Sequence, residues 1–307
     1  MKFDVVIVGA GPAGIFSALE LTKNTDLRIL MLDKGPDLDK RRCPASRGLG
    51  CVRCEPCFLL SGWGGAGAFS DGKLTLSTEV GGWLDEYMTR DELSRLLDYV
   101  DGIYSKFGDS HKVYGTESDE IERIERKASF AGLKLVRQKI RHLGTERCAE
   151  VLKSIRKELD DKVDVRTRKE VKGIEVKNNH VEAVRTVNGE EFPARYVIVA
   201  PGRSGAEWLK VEAQSLGLRT LNNPVDVGVR VEVRASVMEE LTDLLYEPKF
   251  IYYSKAFDDQ VRTFCANPYG EVITESYDGV ISVNGQSYAE RKTENTNFAV
   301  LVSTSFT

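Results

Sequence analysis

The 307-residue sequence contains no apolar run approaching the ~20 residues that a membrane-spanning helix requires. It has no block of basic residues either. Its 43 Lys and Arg are interspersed with 47 Asp and Glu, for a formal charge of −4, so nothing points to a nucleic acid or an anionic membrane as partner. Histidine is scarce, with three residues in all, which restricts any chemistry that relies on imidazole. Internal repeats and low-complexity linkers are missing. The opening MKFDVVIVGAG lacks signal-peptide anatomy, because its apolar stretch is short and leads straight into a glycine motif. A cytoplasmic location is the expectation, and in that compartment thiols stay reduced. With 41% hydrophobic and 29% charged residues, the chain has globular rather than disordered composition.

The richest motif stands at the start. The β-branched run from Phe3 to Val8 is followed by Gly9-Ala10-Gly11-Pro12-Ala13-Gly14, then by apolar residues at helical spacing (Ile15, Ala18, Leu19, Leu21). A second short strand, Arg28 to Leu32, ends at Asp33 and Lys34. This is a βαβ opening with a dinucleotide fingerprint. Gly9 permits the tight turn off the strand, and Gly11 lets the backbone approach a pyrophosphate. That anion would sit at the helix N-terminus, beside Pro12 and Ala13, where free N–H groups and the helix dipole favour negative charge. Gly14 allows close packing of helix on strand, and Asp33 is spaced to accept hydrogen bonds from an adenosine ribose.

Helices follow. Thr89-Arg90-Asp91-Glu92 has the form of a capping box, and Leu93, Leu96, Leu97, Val100 and Tyr104 mark a core-facing stripe. Further helices are expected over 119–131 and after Thr145, the latter burying Cys148, Leu152, Ile155 and Leu159. From 163 to 202 the chain alternates with period two around Asn178-Asn179 and Asn188-Gly189, both suited to tight hairpin turns. A three-stranded antiparallel meander is expected, feeding a buried strand that ends at Pro201-Gly202. After a helix over 206–216 the chain turns β-rich to its end, where FAVLVSTSFT reads as a strand that stops with no closing helix. The expected architecture is α/β: a Rossmann-like domain over 1–220 with a helical insertion at about 75–160, then a β-rich substrate or cap domain over 221–307.

VVIVGAGPAG, the acid after the second strand and the meander ending in VIVAPG together resemble FAD-dependent oxidoreductases of the glutathione-reductase-like class. The β-rich segment after the meander is closer to the hydroxybenzoate-hydroxylase type. GWGGAGAFSDGKL, RHLGT (141–145) and APGRSGAEWL (200–209) look more narrowly like a group of uncharacterised FAD-dependent dehydrogenases. The resemblance spans essentially the whole chain and implies FAD as cofactor. NAD(P)H would be a candidate electron donor, and a small-molecule substrate or electron-transfer partner is implied. By motif match Gly9, Gly11 and Gly14 would hold the pyrophosphate and Asp33 the ribose, where many relatives carry Glu. The Val171 backbone would meet the adenine. Gly64, Gly65 and Gly67 would bring N–H groups near the ribityl chain or the isoalloxazine, and Gly202 would approach the cofactor at its strand end. A later Gly-Asp motif usual in this class is not found after residue 202. With the unfinished last strand, this leads us to expect that a C-terminal portion of the native protein is missing and FAD retention is impaired.

Four of the six cysteines crowd into CPASRGLGCVRCEPC (43–57). Cys51, Cys54 and Cys57 have the spacing of iron–sulfur and zinc loops, and Cys43 could be a fourth ligand once Gly48 and Gly50 fold the loop back. A redox dithiol working with the flavin, and plain packing thiols, are the competing readings. Cys148 and Cys265 sit at core-patterned positions. Among the histidines, His142 is the acid–base candidate, with an ordinary pKa suited to that task; His180 follows a hairpin turn and His111 lies in a polar loop. Arg203 would pair an anion or a carboxylate, and Asp71 and Lys73 would line a pocket or solvate their loop. The leading reading is an FAD-dependent oxidoreductase. A prenyl-lipid reductase and a non-catalytic flavin or iron–sulfur redox protein are the alternatives.

Overall fold

The computed structural model describes residues 2–44, 49–108, 112–277, 280–288 and 290–304, apart from the side chains of 276 and 277. Gly48, His111 and residues 305–307, part of the expected terminal strand, lie outside the described residues. The chain divides into two compact units, Met1–Phe69 with Ala149–Leu221 and Thr274–Ser282, and Ser70–Cys148 with Asn222–Ile273 and Val283–Thr307.

The first unit is built on β1 (Phe3–Val8), α1 (Pro12–Asn24) and β2 (Ile29–Asp33), with β7 (Val163–Thr167), β8 (Val171–Lys177), β9 (His180–Thr186), β10 (Glu191–Val199) and α5 (Ala206–Ser215). Its sheet runs in the order β7-β2-β1-β10-β9-β8. β2 is buried at every position and β1 at all but one, as parallel strands covered on both faces must be. In β10 the partner changes along the strand. Glu191–Pro193 pair antiparallel with β9, and Ala194 to Val199 run parallel to β1. One strand thus joins the meander to the parallel sheet. Asn178 and Asn179, with φ of 51° and 61°, make the β8–β9 turn, as their tolerance of the left-handed region predicts. Phe3, Val6, Val8, Leu30, Leu32, Val171, Val184, Phe192 and Ala194 form the core.

The second unit holds β3 (Lys73–Thr75), α2 (Arg90–Phe107), β4 (Val113–Tyr114), α3 (Asp119–Phe130), β5 (Lys134–Val136) and β6 (Ile140–His142). α4 (Thr145–Leu159) begins there and continues into the first unit. Then come β11 (Val225–Arg234), α6 (Ala235–Leu245), β12 (Lys249–Tyr253), β13 (Gln260–Asn267) and β16 (Asn295–Thr304), while β14 (Glu271–Tyr277) and β15 (Val280–Gln286) pair with each other and are divided, Thr274–Ser282 belonging to the first unit. The main sheet is ordered β11-β16-β13-β12-β5, and a small one β3-β6-β4. Ile121 and Ile124 of α3 pack with Leu135 and with Leu245 of α6 as its core.

Two expectations fail here. The capping box at Thr89 forms, but of the α2 stripe only Leu93 is buried, and Leu96 is 46% exposed. Helical spacing shows which residues share a face; whether anything covers that face is a tertiary matter. Cys265 is not packed in the core. It occupies a β-bulge in β13 with φ of 47°, half-buried among polar groups. Among the described residues no helix is long and apolar enough to cross a membrane.

Candidate functional site: a glycine-lined cavity at the strand ends

Where β1 and β2 end, the first unit contains a cavity of about 260 Å³. Of the residues expected at a cofactor, Gly9, Gly11, Pro12, Asp33, Lys34, Gly65, Gly67, Val171 and Gly202 line it. Ala13, Gly14 and Gly64 do not. Gly14 acts behind the wall, since a Cβ there would lie 2.0 Å from the Gly9 carbonyl oxygen and 3.2 Å from the Ile7 side chain. It allows α1 to lie on β1. Gly64 is pressed against Leu152, whose Cδ1 would be 2.5 Å from an added Cβ.

The residues present fit a dinucleotide. α1 starts at Pro12 with Gly11 as its N-cap, without a side-chain cap and with no acidic residue in its first turn. Its N-terminal amides and positive dipole end are therefore left for an anion. A Cβ at Gly11 would make only ordinary contact, with the Gly65 Cα at 3.8 Å. Gly202 has φ of 62° and ψ of −167°, a region essentially restricted to glycine.

Asp33 is more heavily engaged than its motif role implies. It is buried, and its Oδ2 accepts from the Ala10 amide at 2.8 Å. Its Oδ1 accepts from the amides of Gly35 and Gly62, each at 2.8 Å. An ionised carboxylate offers about four acceptor positions, so these three bonds leave about one for a ribose hydroxyl. The acid that ends β2 thus stitches the fingerprint turn to the loop before the second glycine cluster. Lys34 donates to the Ser204 carbonyl at 2.6 Å. The amides expected as donors at Gly64 and Gly65 are already given to Ala10 O and Gly62 O, each at 2.8 Å. Gly65, which lines the cavity, serves by close approach rather than by donation, and Gly64 serves the packing on Leu152.

Several lining residues were not singled out from the sequence: Ser61, Lys169, Ser204 and Trp208. Trp208 lies within the APGRSGAEWL motif, so the signal was present. Its indole donates to the Lys172 carbonyl at 3.0 Å, fixing the ring beside the meander. Arg203 pairs with Glu275 at 3.2 Å, on an exposed side chain.

Among the described residues no group of three or more His, Cys, Asp or Glu side chains is placed to hold a metal ion. Cys51 is exposed, while Cys43, Cys54 and Cys57 are half-buried in chain without helix or strand. The Cys54 thiol is raised, first by desolvation and then by Cys43, Cys57 and Cys51.

The second unit gathers a separate cluster. Lys73 reaches Asp71 at 3.0 Å and Glu247 at 2.5 Å, all three nearly buried. It also donates to the Ala266 carbonyl at 2.9 Å, and Asn267 donates to Asp71 at 2.7 Å. Burial opposes the ammonium, but Asp71 and Glu247 outweigh it and hold the Lys73 pKa well above its usual value. Asp71 and Lys73 therefore lock the β13 bulge instead of solvating a loop. His142 stacks on Tyr246 with ring centroids 4.2 Å apart, and its Nε2 lies 3.3 Å from Ser287 Oγ. Desolvation lowers its pKa to about 4, against the pull of Asp71. It is a neutral imidazole at neutral pH, not the group of ordinary pKa that its sequence context implied.

Comparison with known proteins places the chain. An uncharacterized protein of Clostridium beijerinckii is 28% identical over 321 aligned residues, covering 99% of this chain and 52% of that protein. The chain thus spans about half the length of this curated relative. Among solved structures, a glycine oxidase from Bacillus cereus is 13% identical, with 100% of this chain and 73% of that one covered and a TM-score of 0.44. An L-amino acid deaminase from Proteus vulgaris is 14% identical over 83% and 66% of the two chains, also at 0.44. Likenesses that low carry no argument. The family described as flavin containing amine oxidoreductase, in contrast, matches residues 79–262, more than half of the chain, and the chain belongs to that family of flavin-dependent oxidoreductases.

Proposed function

We propose that the protein is an FAD-dependent oxidoreductase whose first unit holds the adenosine-pyrophosphate half of the cofactor. The observation that carries this is the glycine-lined cavity at the uncapped start of α1. Its volume falls below the ~300–1,000 Å³ of pockets that enclose a whole ligand, so it takes part of a dinucleotide. When bound, FAD supplies two-electron oxidation of an organic substrate. The protein's share is placement. The first amides of α1 would hold the pyrophosphate, the last acceptor position of Asp33 a ribose hydroxyl, and the edge of β8 at Val171 the adenine. Gly11, Gly65 and Gly67 keep the wall low enough for close approach. The family description directs the substrate search to amines, with NAD(P)H to be tried as reductant.

The test is reconstitution of the full-length protein with FAD and a visible spectrum, beside Gly11→Val. Because Gly11 has ordinary φ and an added Cβ meets nothing closer than 3.8 Å, the variant should fold yet fill the cradle. Flavin bands in the wild type, lost in Gly11→Val, are expected. Wild type and variant that are both free of flavin, or that retain it equally, would refute the assignment. Iron and zinc measured on the same anaerobic sample decide the cysteine loop, where metal at one equivalent or more would mean that the thiols regroup.

A further inference from the structure

We propose that Arg41 is a positioning residue for the dinucleotide, holding the loop 58–67 in the shape that forms one wall of the cavity. The inference rests on the cofactor reading above. Arg41 is only 4% exposed, deep burial for a charged side chain. Its guanidinium satisfies itself on that one loop. Nε donates to the Phe58 carbonyl at 2.9 Å, one terminal nitrogen to Trp63 at 2.7 Å and the other to Leu59 at 2.9 Å. The guanidinium carbon lies 4.7 Å from the centroid of the Phe69 ring. Burial lowers the group's pKa to about 10 while Asp33 pulls the other way, so it stays charged at neutral pH.

The three carbonyls flank the part of the loop that reaches the cavity. Leu60 and Ser61 line it between Leu59 and Trp63, and Gly65 to Gly67 line it just beyond. Gly62 has φ of 113°, and a Cβ there would lie 2.9 Å from Arg41 Cδ, so the loop backbone is wrapped onto the arginine stem. The same residue donates its amide to Asp33. Arg41 therefore grips from one side a segment that Asp33 ties to the end of β2. The guanidinium is a wide, rigid fork whose donors keep the spacing of these three carbonyls; a lysine ammonium also has three donors, but on a compact head that does not hold that spacing.

The experiment uses full-length protein, as wild type, Arg41→Lys and Arg41→Ala. It reads FAD affinity by quenching of flavin fluorescence, and amide hydrogen exchange without FAD. Hydrogen bonds from a charged donor set the scale, so Arg41→Lys should weaken FAD binding roughly tenfold or more and speed exchange in the loop by a similar factor. Amides of β1 and β2 should exchange as in wild type, and Arg41→Ala should exceed the lysine variant in both readouts. Unchanged affinity in Arg41→Lys, or faster exchange spread equally through β1 and β2, would overturn the positioning role. Wild-type protein without FAD affinity would sink the cofactor reading and this inference with it. Wild-type affinity shared by Arg41→Lys would sink the inference alone.

Discussion

His142→Gln probes the second unit through its pH dependence. In the folded chain desolvation is the largest influence on the imidazole, and its pKa falls from 6.5 to about 4 despite Asp71. Above about pH 6.5 the ring is neutral in both folded and unfolded states, and it makes stability no function of pH. Between pH 6.5 and 4 the unfolded chain takes up a proton that the folded chain refuses, so stability falls as pH falls. Below about pH 4 the folded state also binds the proton and this loss levels off. At 1.36 kcal/mol per pKa unit the whole window amounts to about 3 kcal/mol. Glutamine keeps an amide near Ser287 but cannot titrate. Urea unfolding at pH 7 and about pH 4.5 should show wild type losing about 2–3 kcal/mol more than the variant. The absolute stability of the variant does not matter, because only the difference between the two pH dependences is read. Parallel losses would refute the reasoning and mean that the ring is hydrated or already charged in the fold.

Lys73→Met leaves Asp71 and Glu247 as near-buried carboxylates without their cation. A loss of about 3–5 kcal/mol is expected in chemical denaturation, partly restored when Glu247→Gln is added; a melt equal to wild type would mean that the ion pairs contribute nothing. Gly14→Ala drives a methyl to within 2.0 Å of the Gly9 carbonyl oxygen, and should destabilise by about 1–3 kcal/mol with loss of flavin uptake. Gly102→Ala is the converse case, because Gly102 lies exposed inside α2 with nothing within 4 Å of a new Cβ. It should stabilise by about 0.5–1 kcal/mol, seen as a higher urea midpoint.

The first unit was legible in the sequence because its signals are local. A buried strand, three spaced glycines and an acid fall within 31 residues of Phe3, and the two asparagine turns set the meander. The cavity gathers nine of the twelve residues expected at the cofactor. What those residues do in detail was not legible. Asp33 spends most of its acceptors on amides at positions 10, 35 and 62, and the amides of Gly64 and Gly65 are used internally. Arg41 carried no signal at all, since the middle residue of Lys40-Arg41-Arg42 in a polar loop looks the same whether solvated or buried on three carbonyls.

Period, turn chemistry and glycine spacing are properties of neighbouring residues, and they were enough to determine the βαβ opening, the meander and the β-rich character of the remainder. Burial and charge pairing depend on what the chain brings back from far away. Lys73 and Asp71 meet partners more than 170 residues later, Cys265 leaves the core for a bulge, and partial burial takes His142 from its ordinary pKa. Desolvation and Coulomb interactions act through space, and only the tertiary structure decides which groups share that space.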